Sequence, residues 1–250
     1  MDPIDGPVRR LNRARVQLDY LQTEAAKFLS GKPYSSTTHF NIKRNCYVFI
    51  AHVRADPDPD WGFIAAESIH NMRATLDNIL WTLAPAKVRR SRPSFPIHDD
   101  PVRFLCEAYP TLQGLPAKLF EAIEWCQPYN RNNLSEPQRL LTLNALWNAD
   151  KHHAPLAVGS AAEAFAVWGF GEEPLYAQLT DHFKGLYEGK EIGWASGLPT
   201  GLEDKLNPPI LFSVAFSAID GERVYPLHIF EKAHSIIADE VIPRIRAALL

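Results

Sequence analysis

Residues 61–83 read WGFIAAESIHNMRATLDNILWTL. Pro85 follows this segment and ends the pattern, and Asp60 precedes it with a residue type that is favoured at helix N-caps. Apolar residues recur in the segment at helical spacing and lie within one wide stripe, which comprises Ala65, Ile69, Met72, Leu76, Ile79 and Leu83. The segment is therefore predicted to be the clearest amphipathic helix of the chain.

Further helical patterns lie on both sides of this segment. Residues 7–30 keep helical spacing of apolar residues, and Ser135-Glu136-Pro137-Gln138 has the Ser-x-x-Gln form of a capping box at the start of a helix over 135–152. Short helices are predicted over 101–107 and 116–125. A final helix is predicted over 227–250, with a kink at Pro243 because proline lacks the backbone N–H.

The strand patterns are shorter. Residues 40–53 alternate β-branched and aromatic residues with polar ones and predict one or two strands, and strands are also expected over 164–170 and 210–219, the latter before an Asp220-Gly221 turn. Residues 87–96 and 185–209 are expected to be loops. The predicted fold class is α+β, with a mainly helical bundle core, a small antiparallel β-sheet and a C-terminal helix. Residues 1–158 would form the helical core and 159–250 the β-elaboration and last helix, packed as one domain.

Composition excludes several classes of protein. The chain has 250 residues, 46% of them hydrophobic, and a formal charge of −3 from 26 Lys and Arg against 29 Asp and Glu. It is therefore neither a strongly basic protein that binds along nucleic acid nor a disordered acidic chain. It lacks both the apolar run of a signal peptide and the roughly 18 apolar residues of a membrane span, so a cytoplasmic protein without a membrane partner is expected.

Cysteine usage agrees with a reducing compartment. The three cysteines, Cys46, Cys106 and Cys126, are widely spaced and form no Cys-x-x-Cys pair. They are expected to be buried, inert thiols.

Polar residues interrupt the predicted core face of two helices. A buried polar group without a partner costs roughly 1–3 kcal/mol, so such residues mark candidate sites. If the two helices face each other, their polar stripes would form one pocket. The first stripe comprises His70, Arg73 and Asp77, with Glu67 and Trp81 nearby, and the second comprises Asn144, Asn148 and Lys151.

Each stripe has two interpretations. Arg73 could hold a phosphate by its guanidinium fork while a histidine transfers protons, or Arg73 and Asp77 could be a buried pair that locks two helices together. His152 could be a general base or ligand, or Lys151, His152 and His153 could simply complement the dipole at the end of their helix. The basic run 87–92 could contact nucleic-acid phosphates or be a solvated loop.

Metal and nucleotide motifs give little support to other chemistries. His70, Asp77, His152 and His153 could surround a metal, but no two have the compact His-x-x-x-His spacing of a zinc site. The chain contains no phosphate-binding P-loop, no Gly-x-Gly-x-x-Gly and no Gly-x-Ser-x-Gly. Neither a metal nor a cofactor is expected.

Four short motifs carry a resemblance to known proteins. They are HNMRATLD at 70–77, FPI at 95–97, QPY at 127–129 and NADKH at 148–152. With these motifs in this order, residues 8–158 resemble a family of uncharacterised bacterial proteins. The resemblance implies a shared fold and no particular chemistry.

A fainter resemblance is to HEPN-type helical domains, many of which are ribonucleases. Their motif is an arginine, four to six residues and then a histidine on one helix, whereas here Arg73 is followed after four residues by Asn78. Asparagine cannot transfer a proton at neutral pH, so the resemblance implies that the chain binds RNA or a nucleotide, through Arg73 and Lys151, with weak or lost ribonuclease activity. The resemblance also implies a homodimer, because sites of this type usually form where the motif helices of two subunits meet. The candidate catalytic residues are His70, Arg73, Asp77 and His152, and the candidate binding residues are Asn78, Asn144, Asn148, Asp150 and Lys151.

Two other hypotheses stay open. The chain could be a non-catalytic interaction or structural protein whose polar stripes are internal braces. It could also be a metal-dependent hydrolase built on a helical bundle.

Overall fold

The computed structural model describes residues 2–90, 92–152, 156–165, 178–179, 185–204, 206, 210–217 and 223–250. The chain is α+β, which confirms the predicted fold class. The helices are α1 Asp5–Ser30, α2 Trp61–Leu83, α3 Ala86–Arg89, α4 Pro101–Arg103, α5 Tyr109–Leu112, α6 Ala117–Trp125, α7 Gln138–His152, α8 Leu227–Ser235 and α9 Ile242–Ala247, with π-helical segments Phe104–Ala108 and Ile236–Val241. The strands are β1 Tyr34–Asn41, β2 Cys46–Val53, β3 Ala157–Phe165, β4 Gln178–Leu179, β5 Glu191–Ser196, β6 Ile210–Ser217 and β7 Val224–Pro226.

The chain divides into two compact units, of which the first is helical and comprises Met1–Tyr20, Phe63–Ala154 and His228–Leu250. Its core contains the predicted apolar face of α2, where Ile69, Met72 and Leu76 are fully buried. Each such side chain contributes about 1.5–3 kcal/mol relative to exposure in water. This burial, rather than intrinsic helix propensity, explains why apolar residues recur in α2 at the spacing that predicts a helix.

The second unit comprises Leu21–Gly62 and Pro155–Leu227 and contains the strands. The described strands form two antiparallel sheets, with strand orders β1-β2-β5-β4 and β3-β6-β7, where the sequence predicted one. The strands separate because β1 and β2 pair with each other and with β5, which lies inside the stretch predicted to be a loop, whereas β3, β6 and β7 pair among themselves. Buried Tyr47, Phe49 and Ile192 belong to the core of this unit.

The start of α7 and the segment after α2 differ from prediction. Helix α7 begins at Gln138 rather than at Ser135, because the Ser135 amide and hydroxyl both donate to the Glu240 carboxylate, at 2.8 and 2.5 Å. The predicted loop over 87–96 begins with the short helix α3. Arg89 donates there to the backbone carbonyls of Ala84 and Thr82 at 2.7 and 2.9 Å, which supplies partners at the end of α2.

The last helical region runs from Leu227 to Ala247 and contains Pro243, and the kink predicted there stays a prediction. A π-helical segment separates α8 from α9, and Pro243 stands in the first turn of α9, where its missing N–H is tolerated. Strand β3 begins earlier than predicted, at Ala157, and the rest of the strand predicted over 164–170 lies outside the described residues. So do the predicted Asp220-Gly221 turn and His153.

The cysteines are buried as predicted in two cases out of three. Cys46 and Cys126 are buried, but Cys106 is exposed, so the prediction of three buried thiols was wrong. Cys106 lies in the π-helical segment Phe104–Ala108, which buries Phe104 and Ala108 instead. Within the described part of the chain, every helix is too short or too polar to cross a membrane.

Candidate functional site

Arg73 of α2 is buried, with 3% of its surface exposed, and it holds the segment 94–98. Its Nη2 donates to the Ser94 hydroxyl at 2.7 Å and to the Phe95 carbonyl at 2.8 Å. Its Nε donates to Asn144 Oδ1 of α7 at 3.2 Å. The guanidinium therefore ties two helices and one extended segment together.

Asp77 completes this connection one turn further along α2. Its Oδ1 accepts from Arg73 Nη1 at 2.7 Å, from the Phe95 amide at 2.7 Å and from the Ser94 hydroxyl at 3.0 Å. Burial lowers the pKa of Arg73, and the nearby carboxylate of Asp77 opposes that shift. Both residues belong to α2, and together they hold the backbone and the Ser94 hydroxyl of the segment 94–98.

Gln127 holds the other end of the same segment. It is fully buried, and its Nε2 donates to the Pro96 carbonyl at 3.0 Å and to the Ile123 carbonyl at 2.9 Å. Its Oε1 accepts from the His98 amide at 3.1 Å. Sequence reasoning noted the QPY motif but assigned Gln127 no role. An amide directly after an apolar helix was the available signal, since a buried amide must find partners.

Helix α7 also contributes an aromatic ring. The Trp147 ring lies 5.3 Å from the Arg73 guanidinium carbon and 4.7 Å from Lys151 Nζ, so two cations contact one indole. Cation–π contacts of this kind contribute about 0.5–1 kcal/mol when exposed and more when desolvated. The hydrogen bonds of Arg73, Asp77 and Gln127 bring three of the four motifs together with α7 around 94–98. The three motifs are HNMRATLD, FPI and QPY.

The braced segment forms a wall of an open cleft of about 320 Å³. Arg92 lies in its lining, is exposed and has a positive φ of 50°, which residues other than glycine rarely adopt. Its amide donates to the Arg89 carbonyl at 3.0 Å. The polar groups that face the cleft belong to Arg73, Arg92, Ser94, His98, Glu107, Thr111 and Asn144.

His98 is the titratable group of the braced wall. Its Nδ1 lies 4.0 Å from Glu107 Oε2, and burial lowers the pKa of the imidazole while Glu107 opposes the shift. The imidazole is therefore mostly neutral at pH 7. Sequence reasoning did not single out His98, because no motif chemistry marks an isolated histidine after FPI.

The single pocket predicted from the two polar stripes is divided in the structure. Arg73, Asp77 and Asn144 come together, but His70 and Asp150 line a second cleft. Helical spacing places His70 on the same side of α2 as Arg73, yet it lies about one turn away, where it is exposed.

The other predicted site residues do not join the brace. Asn148 and Lys151 are exposed, although Lys151 contacts the Trp147 ring, and Asn78 is half-buried. His152 is the last residue of α7, and its side chain lies outside what the structure describes.

The described residues provide no set of ligands for a metal ion. Among them, no three His, Cys, Asp or Glu side chains are arranged so that they could hold a metal ion. No protein-family model, curated protein sequence or solved structure matches this chain.

Proposed function

We propose that the chain binds a phosphate group, carried by a nucleotide or by single-stranded RNA, in the cleft lined by Arg92. The observation that carries this proposal is the placement of Arg92. Its exposed guanidinium follows a left-handed backbone turn and immediately precedes the wall held by Arg73 and Gln127.

The backbone of Arg92 favours a ligand role. A non-glycine residue in the left-handed region costs on the order of 1 kcal/mol, and such residues concentrate at ligand clamps. The Asn144 amide lines the same cleft, whereas the hydroxyl protons of Ser94 and Thr111, which also line it, are donated inside the protein, to Asp77 Oδ1 and to the Ala108 carbonyl. Guanidinium and amide groups are usual donors to phosphate oxygens.

Arg73 has a positioning role in this proposal. It makes four hydrogen bonds inside the protein, to Asn144, Asp77, Ser94 and Phe95. Its guanidinium is therefore committed to the wall of the cleft. Because Asn78 cannot transfer a proton, the proposed activity is binding without cleavage by an Arg73-dependent mechanism.

The test is fluorescence anisotropy of a labelled single-stranded RNA. Arg92→Gln should weaken binding roughly tenfold, the effect of losing about 1.4 kcal/mol. It should also reduce the slope of log K against log salt by about 0.7–1, the contribution of one phosphate contact. Arg90→Gln is the matched control, because Arg90 is a neighbouring exposed arginine that does not line the cleft. Equal affinities of the two variants would refute the proposal.

Two further measurements identify the source of the phosphate group and test whether the RNA is cleaved. Competition by 5′-AMP but not by adenosine would identify a nucleotide phosphate as sufficient, whereas competition by RNA alone would require the strand. The RNA should stay intact during incubation. Cleavage that is lost in Arg92→Gln would contradict binding without catalysis. The homodimer implied by the HEPN-type resemblance stays a prediction, which light scattering of the purified protein would measure.

A further inference from the structure

A second cleft of about 530 Å³ lies in the helical unit. Helix α2 contributes one face of it, with Phe63, Glu67 and His70 at positions i, i+4 and i+7. Helix α1 contributes Arg13, and α7 contributes Asp150. None of the residues that line it lines the cleft of Arg92.

A buried amide fixes one carboxylate of this cleft. Gln17 is only 6% exposed, and its Nε2 donates to Glu67 Oε2 at 2.6 Å. Its Oε1 accepts from Asn71 Nδ2 at 2.9 Å, so the orientation of the Gln17 amide is determined by its two partners. The Glu67 carboxylate therefore stands at the end of an ordered chain of hydrogen bonds, held in place before any ligand arrives.

The cleft has more acidic than basic side chains, and each of its charged residues lies on a different helix. Glu67 and Asp150 supply two carboxylates, and Arg13 supplies one guanidinium, which is exposed. Phe63 presents an aromatic ring with 55% of its surface exposed. Two carboxylates beside an exposed aromatic ring suit an organic cation, since the carboxylates pair with its charge and the ring contacts its apolar part or its cationic face.

We infer that this cleft binds a free α-amino acid with a cationic side chain. Such a ligand carries one carboxylate and two cations, which is the complement of one guanidinium and two carboxylates. Its α-carboxylate pairs with Arg13, its two cationic groups pair with Glu67 and Asp150, and its aliphatic stem packs on Phe63. Paired and hydrogen-bonded charges of this kind supply the specificity, and the aromatic ring supplies apolar contact. This inference does not rest on the proposed phosphate site.

Isothermal titration of the full chain with L-arginine tests the inference. Three analogues each remove one charge: agmatine lacks the carboxylate, N-acetyl-L-arginine lacks the α-ammonium, and L-citrulline lacks the side-chain cation. L-arginine should bind with one-to-one stoichiometry, and each analogue should bind roughly tenfold more weakly or worse. Absence of saturable binding of L-arginine at millimolar concentration would overturn the inference, and so would an analogue that binds equally well.

Substitutions of residues that line the cleft test whether L-arginine binds there. Glu67→Gln should weaken L-arginine binding roughly tenfold, and Arg13→Gln should remove the difference in affinity between L-arginine and agmatine. Asp239→Asn and Arg131→Gln are controls that change the same charges at exposed positions outside the cleft, and they should bind as the wild type does. If Glu67→Gln does not fold, Arg13→Gln at an exposed position still decides the question. Wild-type affinity in both cleft variants would place the ligand elsewhere and refute the site.

Discussion

Arg73 Nη1 and Asp77 Oδ1 lie 2.7 Å apart on successive turns of α2, and the same carboxylate oxygen accepts the amide of Phe95 at 2.7 Å. The side chain of Arg73 is 4% exposed and that of Asp77 is 28% exposed. This pair therefore differs from a surface salt bridge, because its partners also satisfy the backbone of the segment 94–98. The consequence is that the wall of the Arg92 cleft depends on the pair.

Removing Asp77 should be strongly destabilising. Asp77→Ala leaves the Arg73 guanidinium buried without its carboxylate, and breaking a buried pair costs about 3–5 kcal/mol. The measurement is the free energy of unfolding in urea. The matched control is Asp19→Ala, which breaks the i,i+4 pair with Arg15 at a more exposed position and should cost no more than about 1 kcal/mol. Similar losses in the two variants would show that the Arg73–Asp77 pair is not a buried brace.

Gln127 should matter more than its uncharged side chain suggests. Gln127→Leu keeps the approximate size but leaves the His98 amide and the Pro96 carbonyl without this partner, at a cost of about 1–3 kcal/mol. Thermal unfolding monitored by circular dichroism measures the loss. Gln138→Leu, at an exposed position, should change stability by about 0.5 kcal/mol or less. An unchanged melting temperature in Gln127→Leu would contradict the assigned role.

The sequence predicted the helices well because their signal is local. Burial of one face produces the apolar spacing of α1 and α2, and the structure buries most of those positions, whereas Val8, Phe28 and Leu83 are half-buried. Strand β5 was missed because it is short and lies among glycines and prolines, and only its pairing with β2 makes it a strand. Non-local pairing leaves no periodic signal in the segment itself.

The candidate site was predicted in part for a related reason. Arg73, Asp77 and Asn144 were found because charged and amide groups on a core face must meet partners. His70 was assigned to the same pocket because helical spacing gives the direction of a side chain around the helix, but it does not show which turn another element covers. Ser94, His98 and Gln127 lie outside regular periodic segments or at their ends, so their convergence depended on tertiary structure alone.

Cysteine reactivity should be confined to one thiol. Burial raises the pKa of Cys126 to about 12, and Cys46 is also buried, whereas Cys106 is exposed. Because the thiolate is the reactive form, Ellman's reagent should modify only Cys106 rapidly at neutral pH and all three thiols after unfolding. Cys106→Ser should abolish the rapid phase. A second rapid thiol in the native protein would contradict the burial of Cys46 or Cys126.

Acid should destabilise the protein through His234. Its Nε2–H donates to the buried Leu11 carbonyl at 3.2 Å, and burial lowers its pKa below the ordinary 6.5. The unfolded chain therefore binds a proton more readily than the folded chain, so the stability that is present above about pH 6.5 is lost as the pH falls towards the folded-state pKa. His98 acts in the same direction, since burial also lowers its pKa.

The free energy of unfolding should therefore decrease between pH 8 and pH 5. His234→Gln should show a smaller decrease over the same range, because it removes one of the groups whose proton uptake favours the unfolded chain. An equal pH dependence in the variant and the wild type would show that His234 does not contribute.

The most direct test of the phosphate site is a map of amide chemical-shift changes on titration with 5′-AMP. The proposal predicts saturable changes concentrated at Arg92, Ser94, His98 and Thr111, with the residues of the second cleft unaffected. Changes concentrated instead around Arg13 and His70 would contradict it, and so would no saturable change at any residue when both 5′-AMP and, in a second titration, the single-stranded RNA are added.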